Sequence, residues 1–300
     1  MSIAARASPA APRRRRLRLA LTTPGLLGLP LAWLAVFFLV PIAIVAAYSF
    51  DVYSIDPGPH GFTLEAWHRF LHSSIYLSLF WKSVKMSLIV SAVIVLLAYP
   101  LAYYLALSGT KRKYVLLLLL IAPFLTSYLL RVLAFKVILT DDGVVNTFLF
   151  DTGLRAQGHQ VNWLLYTQFT VLLVLLYAWV PFVALPIFVA LENMDRRLLE
   201  AATDLGASRL RAFAKITLPM AAPGIVAAFL FVFIPTIGEF VTPQLVGGSK
   251  GYLFGSAIAD DFGQNSDWQS GAVLALFLML VVLLLTGATS RFLRATGGGS

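Results

Sequence analysis

Six long apolar stretches constrain the fold of this chain more than any other feature of its sequence. A helix needs about 20 mostly apolar residues to cross the hydrocarbon core of a bilayer, because a backbone amide left unpaired in lipid is costly. The stretches that reach this length lie at about residues 25–50, 79–107, 114–139, 164–191, 218–246 and 270–291. The sequence therefore predicts an all-α membrane protein with six transmembrane helices.

The composition agrees with a membrane protein and excludes several other classes. Hydrophobic residues make up 59% of the chain and charged residues only 12%, well outside the averages of soluble domains. The net charge of +9 would suggest nucleic acid in a soluble chain, but the basic residues cluster beside apolar stretches, where they orient a protein in a bilayer. We therefore predict no nucleic-acid partner. The chain has no cysteine, which excludes disulfides and thiol chemistry, and we expect no cofactor and no metal in it.

The distribution of Lys and Arg predicts the orientation, since short loops rich in these residues stay cytoplasmic. Sixteen of the 23 basic residues fall in four regions, which are the N-terminal tail at 1–24, the 108–113 turn, the 192–217 loop and the C-terminal tail. The other three connections each carry a net charge of −2. Both termini are therefore expected in the cytoplasm.

The two ends of the chain need separate interpretation. The motif RRRRLR before the first apolar stretch resembles the start of a signal peptide, but signal peptides have an apolar region of only about 7–15 residues. The stretch at 25–50 is longer, so we predict that it is retained as the first span. The final GGGS resembles an expression linker, which leaves a membrane domain at 25–294 and a tail with a linker scar at 295–300.

The connection at 192–219 is too polar for a membrane and too patterned for a slack loop. Asp195 is placed to cap a short helix that carries Leu198, Ala202 and Leu205 on one face. Gly206 is placed to end this helix, because glycine tolerates the left-handed conformation of a helix C-terminus. A short amphipathic helix followed by a tight turn is predicted here.

A second short helix is predicted after the turn, with Ser208 as its cap. Its apolar positions are Leu210, Phe213 and Thr217. It is expected to break before the fifth span, at Pro219, Pro223 and Gly224. One interpretation of the whole connection is an interfacial helix that rests on anionic lipid through Arg196, Arg197, Arg209 and Arg211. The small side chains in it indicate instead a surface for a protein partner.

The order of residues in this connection resembles the EAA motif of permease subunits in bacterial ABC importers. The matching positions are Glu200, Ala201, Ala202, Asp204, Gly206, Ala207, Ile216, Leu218 and Pro219. In that family the motif forms a coupling helix that docks in a groove of the ATPase subunit. The resemblance implies that Glu200 helps to bind the ATPase and that Gly206 makes the turn. The expected ATPase-coupling residues are Glu200, Ala201, Ala202, Asp204, Leu205, Gly206 and Ala207.

The resemblance extends to residues 123–146, 184–207 and 218–248, which are similar to the spermidine/putrescine-type branch of these permeases. It implies a type I importer fold in a bacterial inner membrane and transport by alternating access. It also implies a second homologous permease subunit, two copies of an ATPase subunit that bind ATP and Mg, and a periplasmic substrate-binding protein. The chain itself would be non-catalytic, and its substrate a polyamine or a related organic cation.

Three alternatives stay open at this point. One is an importer permease for another small solute, such as an opine, a phosphonate or iron. A secondary transporter would need a coupling-ion site near mid-membrane and usually an inverted repeat. A membrane enzyme would need a cluster of nucleophile, base or metal ligands, which we do not find in the sequence.

Glu239 is the only acidic residue within a predicted span, and intramembrane carboxylates are functional candidates by default. Pro235, Gly238 and Pro243 around it predict irregular backbone, which at membrane depth belongs beside a cavity or within protein. We interpret Glu239 as part of the substrate pathway. The alternative is a structural ion pair with Arg131 or Lys136 of the third span.

Four aromatic residues near mid-span could hold an alkylammonium group by cation–π contact. They are Tyr128, Tyr177, Trp179 and Phe182. The alternative for each is ordinary packing against protein or lipid. Asp260 and Asp261, in the last acidic connection, could attract a cation or contact the binding protein. Their simpler interpretation is charge complementarity to the basic connections.

Overall fold

The computed structural model describes residues 13–54, 60–108, 111–153 and 164–297, with side chains at 28 and 30–291 within these ranges. Residues 1–12 of the predicted N-terminal tail and residues 298–300 of the predicted linker lie outside the described residues. The described backbone is helical and contains no strand. This agrees with the predicted all-α fold.

Thirteen α-helices follow one another along the described chain, joined in three places by 3₁₀ or π turns. The first seven are α1 (Arg13–Ser49), α2 (Glu65–His72), α3 (Ser74–Leu107), α4 (Lys113–Ile121), α5 (Tyr128–Leu139), α6 (Val144–Asp151) and α7 (Gln168–Glu192). The last six are α8 (Arg197–Asp204), α9 (Arg209–Ala212), α10 (Leu218–Ile237), α11 (Gly248–Gly251), α12 (Phe254–Phe262) and α13 (Trp268–Gly297).

Among the described residues, five helical segments are long and apolar enough to cross a membrane. They are Pro30–Ser49, Ser74–Leu107, Gln168–Glu192, Arg209–Ile237 and Trp268–Arg291. A bent pair, Lys113–Leu125 with Tyr128–Asp151, brings the number to six if it counts as one span. Each predicted apolar stretch therefore corresponds to one of these segments or to the bent pair.

The third predicted span is not the single helix expected at 114–139. Its two parts meet at an angle of 82°. A 3₁₀ turn over Ala122–Leu125 follows α4, and Thr126 is extended at a ψ of 153°. Pro123 cannot donate a backbone hydrogen bond, and the hydroxyl of Thr126 donates to the Pro123 carbonyl at 2.7 Å. The local sequence thus ends one helix and starts another inside an apolar stretch.

The fifth span begins earlier than expected, because the predicted break at Pro219, Pro223 and Gly224 is wrong. The helix that starts at Arg209 continues to Ile237. A π turn over Phe213–Thr217 interrupts the regular α-helical bonding and leads directly into α10, so Pro219 follows the π turn inside a continuous helical segment.

The core of the bundle is built from α3, α7 and α10. Its fully buried side chains include Val90, Ile94, Val171, Ile187, Ala228 and Val232. Gly224 allows the close approach of α10 to α7, since a Cβ there would lie 2.6 Å from the Ala190 Cβ and 2.7 Å from the Pro186 carbonyl oxygen. Gly224 is thus a packing residue and not a helix breaker.

A second apolar cluster joins α2, α12 and α13 to the N-terminal half of α3. Phe70, Phe80 and Phe277 form its centre, with ring centroids 4.8 Å apart for Phe70 and Phe277 and 5.0 Å apart for Phe80 and Phe277. This cluster lies at the end of the bundle opposite α8, because α8 is joined to the C-terminal end of α3. One end of the bundle therefore carries the aromatic cluster, and the other end carries α8.

Candidate coupling surface and transport path

The predicted short helix and turn are present at α8. The Asp195 carboxylate accepts a hydrogen bond from the Arg197 backbone N–H at 3.0 Å, which caps the helix start. Gly206 has a φ of +77°, and its N–H donates to the Thr203 carbonyl at 2.9 Å. The Ala207 N–H donates to the Ala202 carbonyl at 2.9 Å. These two bonds are those of a Schellman motif, which fixes the direction of the chain after the helix.

The second predicted helix starts where expected. Ser208 precedes α9, and its hydroxyl accepts a hydrogen bond from the Arg211 N–H at 3.4 Å. The turn is therefore fixed from both sides, by the Schellman bonds before it and the cap after it.

The surface of α8 is uncovered. No residue of α8 is buried, and Leu198 and Leu205 are 44% and 88% exposed. Glu200 is also exposed, as are Ala201, Asp204 and Gly206, whereas Ala202 and Ala207 are partly covered. We call α8 and the turn to Ser208 the coupling helix-turn. All seven predicted ATPase-coupling residues lie together on it, and their role stays a prediction.

Two polar contacts, which the sequence did not reveal, lie near the base of the coupling helix-turn. A guanidinium nitrogen of Arg196, Nη2, donates to the Ala106 carbonyl at 2.7 Å. Lys113 at the start of α4 forms an ion pair with Glu192 at the end of α7. The partners are 90 and 79 residues apart in the chain. The sequence alone presents Arg196 and Lys113 only as basic charges, because no local pattern identifies partners so distant.

Glu239 lies directly beyond α10, in irregular backbone of the kind its neighbours predict. Residues 238–240 leave the helix between Ile237 and the π turn Pro243–Gly247. Gly255 at the start of α12 packs closely on this break, since a Cβ there would lie 2.6 Å from the Glu239 carbonyl oxygen. The break is thus enclosed by protein on that side.

The Glu239 carboxylate does not form the alternative ion pair. Its Oε1 accepts a hydrogen bond from the Thr242 N–H at 3.0 Å, and no Lys or Arg nitrogen of the described residues lies within 4.0 Å of it. The Thr242 and Tyr128 hydroxyls are 2.5 Å apart. Tyr128 of α5 and the break after α10 are therefore linked through Thr242.

Three of the four predicted aromatic residues line one cavity of about 230 Å³. Its walls are Phe124, Tyr128, Arg131, Ala178, Trp179 and Phe182. The Arg131 guanidinium carbon lies 4.1 Å from the centroid of the Phe124 ring and 5.6 Å from that of Tyr128. The aromatic faces of this cavity thus already hold a cation from the protein itself.

Tyr177 lies apart from that cavity. It packs on Phe135, with the ring centroids 5.1 Å apart, and lines a neighbouring cavity of about 210 Å³. Phe124 and Arg131 form the wall that the two cavities share. The four aromatic residues consequently do not form a single cation cage.

Asp260 and Asp261 form a hydrogen-bonded network at the end of the bundle opposite α8. Asp260 accepts from the Tyr252 hydroxyl at 2.7 Å and from Gln244 at 3.0 Å. Asp261 accepts from Asn265 at 2.8 Å. Burial raises the pKa of the Asp261 carboxyl above its ordinary value. These carboxylates hold α12 and its neighbours together through neutral donors, which is a structural role.

Possible metal ligands do not come together in the part of the chain that the structure describes. No three His, Asp or Glu side chains there are arranged to hold a metal ion. His68 and His72, at the spacing of a metal pair, stack with ring centroids 4.0 Å apart. A ring nitrogen of His72, Nδ1, lies 2.9 Å from the His68 carbonyl oxygen.

Comparison with known proteins gives matches over most of the chain. Residues 98–293 match the model of a family described as "Binding-protein-dependent transport system inner membrane component". The spermidine/putrescine transport system permease protein PotB of Haemophilus influenzae is 35% identical over 257 residues, which are 85% of this chain and 88% of PotB. PotB of Escherichia coli is 34% identical over 268 residues, 87% of this chain and 95% of PotB.

Solved structures agree on the fold. One chain of a bacterial ABC transporter that imports the acidic polysaccharide alginate has a TM-score of 0.66 and 18% identity. The match covers 93% of this chain and 99% of that chain. A second structure, with an alginate pentasaccharide-bound periplasmic protein, gives a TM-score of 0.64 and 17% identity over 95% of this chain and 96% of that one. The fold is that of ABC importer permeases.

Proposed function

The chain belongs to the family of binding-protein-dependent transport system inner membrane components, and from this premise we propose that it is the permease subunit of an ATP-driven polyamine importer. Spermidine and putrescine are the proposed substrates, because the PotB relatives match this chain along most of its length. The observation that carries the coupling to an ATPase is the uncovered coupling helix-turn.

The coupling helix-turn is proposed to dock on an ATPase subunit. Its helix is capped at both ends and therefore rigid, yet none of its residues is buried. Apolar side chains as exposed as Leu205 favour a partner surface. Glu200 would contact the ATPase, and Gly206 would hold the turn. This end of the bundle carries the basic connections, so we place it in the cytoplasm with both termini.

The complete importer is proposed to contain four further chains. A second homologous permease would form the path together with this one, and two copies of an ATPase subunit would bind ATP and Mg and carry out hydrolysis. A periplasmic binding protein would deliver the substrate to the opposite end. The permease would contribute no catalytic group.

The mechanism proposed is alternating access. ATP binding would bring the two ATPase subunits together, and their movement would reach the membrane helices through the coupling helix-turn. A ligand shifts an equilibrium only by its different affinity for the two states. A rigid helix in a groove provides such a difference, because it transmits a displacement that a slack loop would absorb.

The structure supports Glu239 and Tyr128 as pathway residues better than Trp179 and Phe182. Glu239 and Tyr128 border the break after α10 and are linked through Thr242. Burial with few neutral donors makes this carboxylate a suitable partner for a substrate ammonium. Trp179 and Phe182 line a cavity in which Arg131 already stacks on an aromatic face, so an amine there would meet a like charge.

Uptake by the whole complex tests this function. The ATPase, the second permease and the binding protein, which neighbouring reading frames should encode, would be produced together with this chain in cells that lack their own polyamine uptake. We expect ATP-dependent accumulation of labelled putrescine or spermidine, and excess opine, phosphonate or iron should not compete. If one of these solutes inhibited the uptake, the polyamine assignment would be wrong and that solute would be the proposed substrate.

A Glu200→Ala variant tests the assigned docking. We expect its yield of co-purified ATPase to fall, because Glu200 lies on the exposed face. Glu65→Gln, which removes an exposed acid from α2 at the opposite end, is the matched control. Normal co-purification and normal uptake with Glu200→Ala would refute the role of Glu200.

A further inference from the structure

Arg196 connects the coupling helix-turn to the end of α3. It directly precedes α8, and its Nη2 donates to the Ala106 carbonyl at 2.7 Å. The last four carbonyls of a helix have no partner within the helix, and a cation near them is favoured by the helix dipole. Ala106 is fully buried and belongs to the core cluster. Arg196 thus caps a central helix of the bundle.

The Lys113–Glu192 ion pair lies beside this cap. It joins the start of α4 to the end of α7, and its side chains are only 20% and 28% exposed. The like charges of Arg196 and Lys113 repel each other, and the Glu192 carboxylate offsets this repulsion at Lys113. Four residues separate Glu192 from the first residue of α8. The ends of α3 and α7 and the starts of α4 and α8 therefore meet in one polar cluster.

Packing does not explain how α8 is held. A helix without a buried residue gains little from apolar contact with the bundle, and its position depends on its covalent ends and on polar contacts at its base. A charge-assisted hydrogen bond and a largely covered ion pair are stronger than ordinary surface contacts. In the connection before α8, Met194 is buried at 5% exposure, and the Arg196–Ala106 hydrogen bond is the described polar contact that joins the start of α8 to the bundle.

We propose that Arg196, supported by the Lys113–Glu192 ion pair, is a positioning residue that makes α8 move as one body with α3 and α7. This rests on the proposed docking of α8 to an ATPase. A displacement of α8 would then pass to the two central helices of the bundle at once. Without the contact, α8 would pivot at residues 195–196, beyond the buried Met194, and part of the displacement would be lost.

The absence of cysteine allows a direct test of this attachment. Spin labels would be placed at Thr203→Cys on α8 and Leu97→Cys on the exposed side of α3, in the assembled complex in lipid nanodiscs. The distance distribution between the labels should be narrow and should stay the same with and without ATP. In the Arg196→Gln background it should broaden or shift with nucleotide.

Transport per ATP hydrolysed provides the functional readout. The Arg196→Gln complex should keep its ATPase subunits but transport at least threefold less substrate per ATP hydrolysed. Arg196→Lys should recover much of the lost transport, because lysine can still donate to the Ala106 carbonyl. Arg112→Gln is the matched control, since the Arg112 side chain is exposed and makes no hydrogen bond or ion pair within the described ranges. Lys113→Glu and Glu192→Lys should each lower the transport per ATP hydrolysed. Combining the two reversals should restore it, because the ion pair can form again.

Distance and transport measurements could each overturn the attachment. One contradicting result is a nucleotide-dependent change of several ångströms between the labels with Arg196 in place. Another is unchanged transport per ATP in Arg196→Gln, and a third is loss of ATPase binding by it, which would make Arg196 a docking residue instead. Failure of the polyamine assignment is distinguishable, because it would appear as absent uptake by the unmodified complex while the label distances stay as expected.

Discussion

Replacing Gly206 with valine should weaken the binding of the ATPase without disturbing the helix bundle. Gly206 has a φ of +77°, and an added Cβ would meet no heavy atom within 4 Å. The substitution therefore introduces backbone strain but no clash. An L-residue in the left-handed region costs roughly 1–2 kcal/mol, and a β-branched residue lies at the upper end of this range.

This strain sets the size of the expected effect. A cost of roughly 1–2 kcal/mol lowers the population of the native turn, relative to other backbone conformations, by about 5–30-fold. Only chains with the turn formed present α8 correctly, so the same factor is the upper limit for the loss of affinity. Asparagine should be close to glycine, alanine intermediate and valine worst, because their tolerance of positive φ decreases in that order.

The assay is a titration of purified ATPase onto the two permeases in nanodiscs, with each Gly206 variant. Gly153→Val is a matched control, since Gly153 has a φ of +69° and also has no neighbour within 4 Å of an added Cβ, but lies at the end of α6. The free energy of unfolding of the permease should fall by no more than this strain of roughly 1–2 kcal/mol, because the turn is exposed and the substitution removes no contact of the bundle.

Two results would refute the reasoning. Equal ATPase affinity for glycine, alanine and valine at position 206 would mean that the turn is not needed for docking. An equal loss with Gly153→Val would mean that the effect is not local to α8.

Three further substitutions have defined outcomes. Glu239→Gln should lower polyamine uptake while the complex still assembles, because glutamine can still accept the backbone hydrogen bond; loss of assembly, measured by co-purification, would indicate a structural role. Gly224→Ala should lower the thermal stability of the permease by about 1–3 kcal/mol through its clash with α7, whereas Gly287→Ala, which meets no neighbour, should not. The unfolding temperature should fall as the pH rises from the ordinary carboxyl pKa through the raised pKa of Asp261 in the folded state, because burial disfavours the ionised carboxylate, and Asp261→Asn should remove this fall. Thermal unfolding measured upward from about pH 4, near the ordinary carboxyl pKa, checks this, and an equal fall in Asp261→Asn would contradict it.

Local sequence was sufficient for the features that depend on a few neighbouring residues. The spans follow from apolar length, and the turn at Gly206 follows from a helix cap, an apolar face and a glycine in sequence. The irregular backbone at Glu239 was also visible, because Gly238 and two prolines surround it. In each of these cases the physical cause lies within a few residues.

Features that depend on tertiary contact could not be predicted. Pro219 reads as a helix breaker unless the π turn before it is known, and Gly224 reads as one unless α7 is known to pack on it. The contact between Arg196 and Ala106 spans 90 residues. The aromatic residues of α5 and α7 could be proposed as a cation cage only because the position of Arg131 between them was unknown.

The central claim is tested most directly by the ATPase rate of the reconstituted complex with its binding protein, with and without spermidine or putrescine. We predict that either amine stimulates hydrolysis. An ATPase rate that responds to neither amine would contradict the polyamine assignment, and a complex that hydrolyses no ATP at all would contradict the importer.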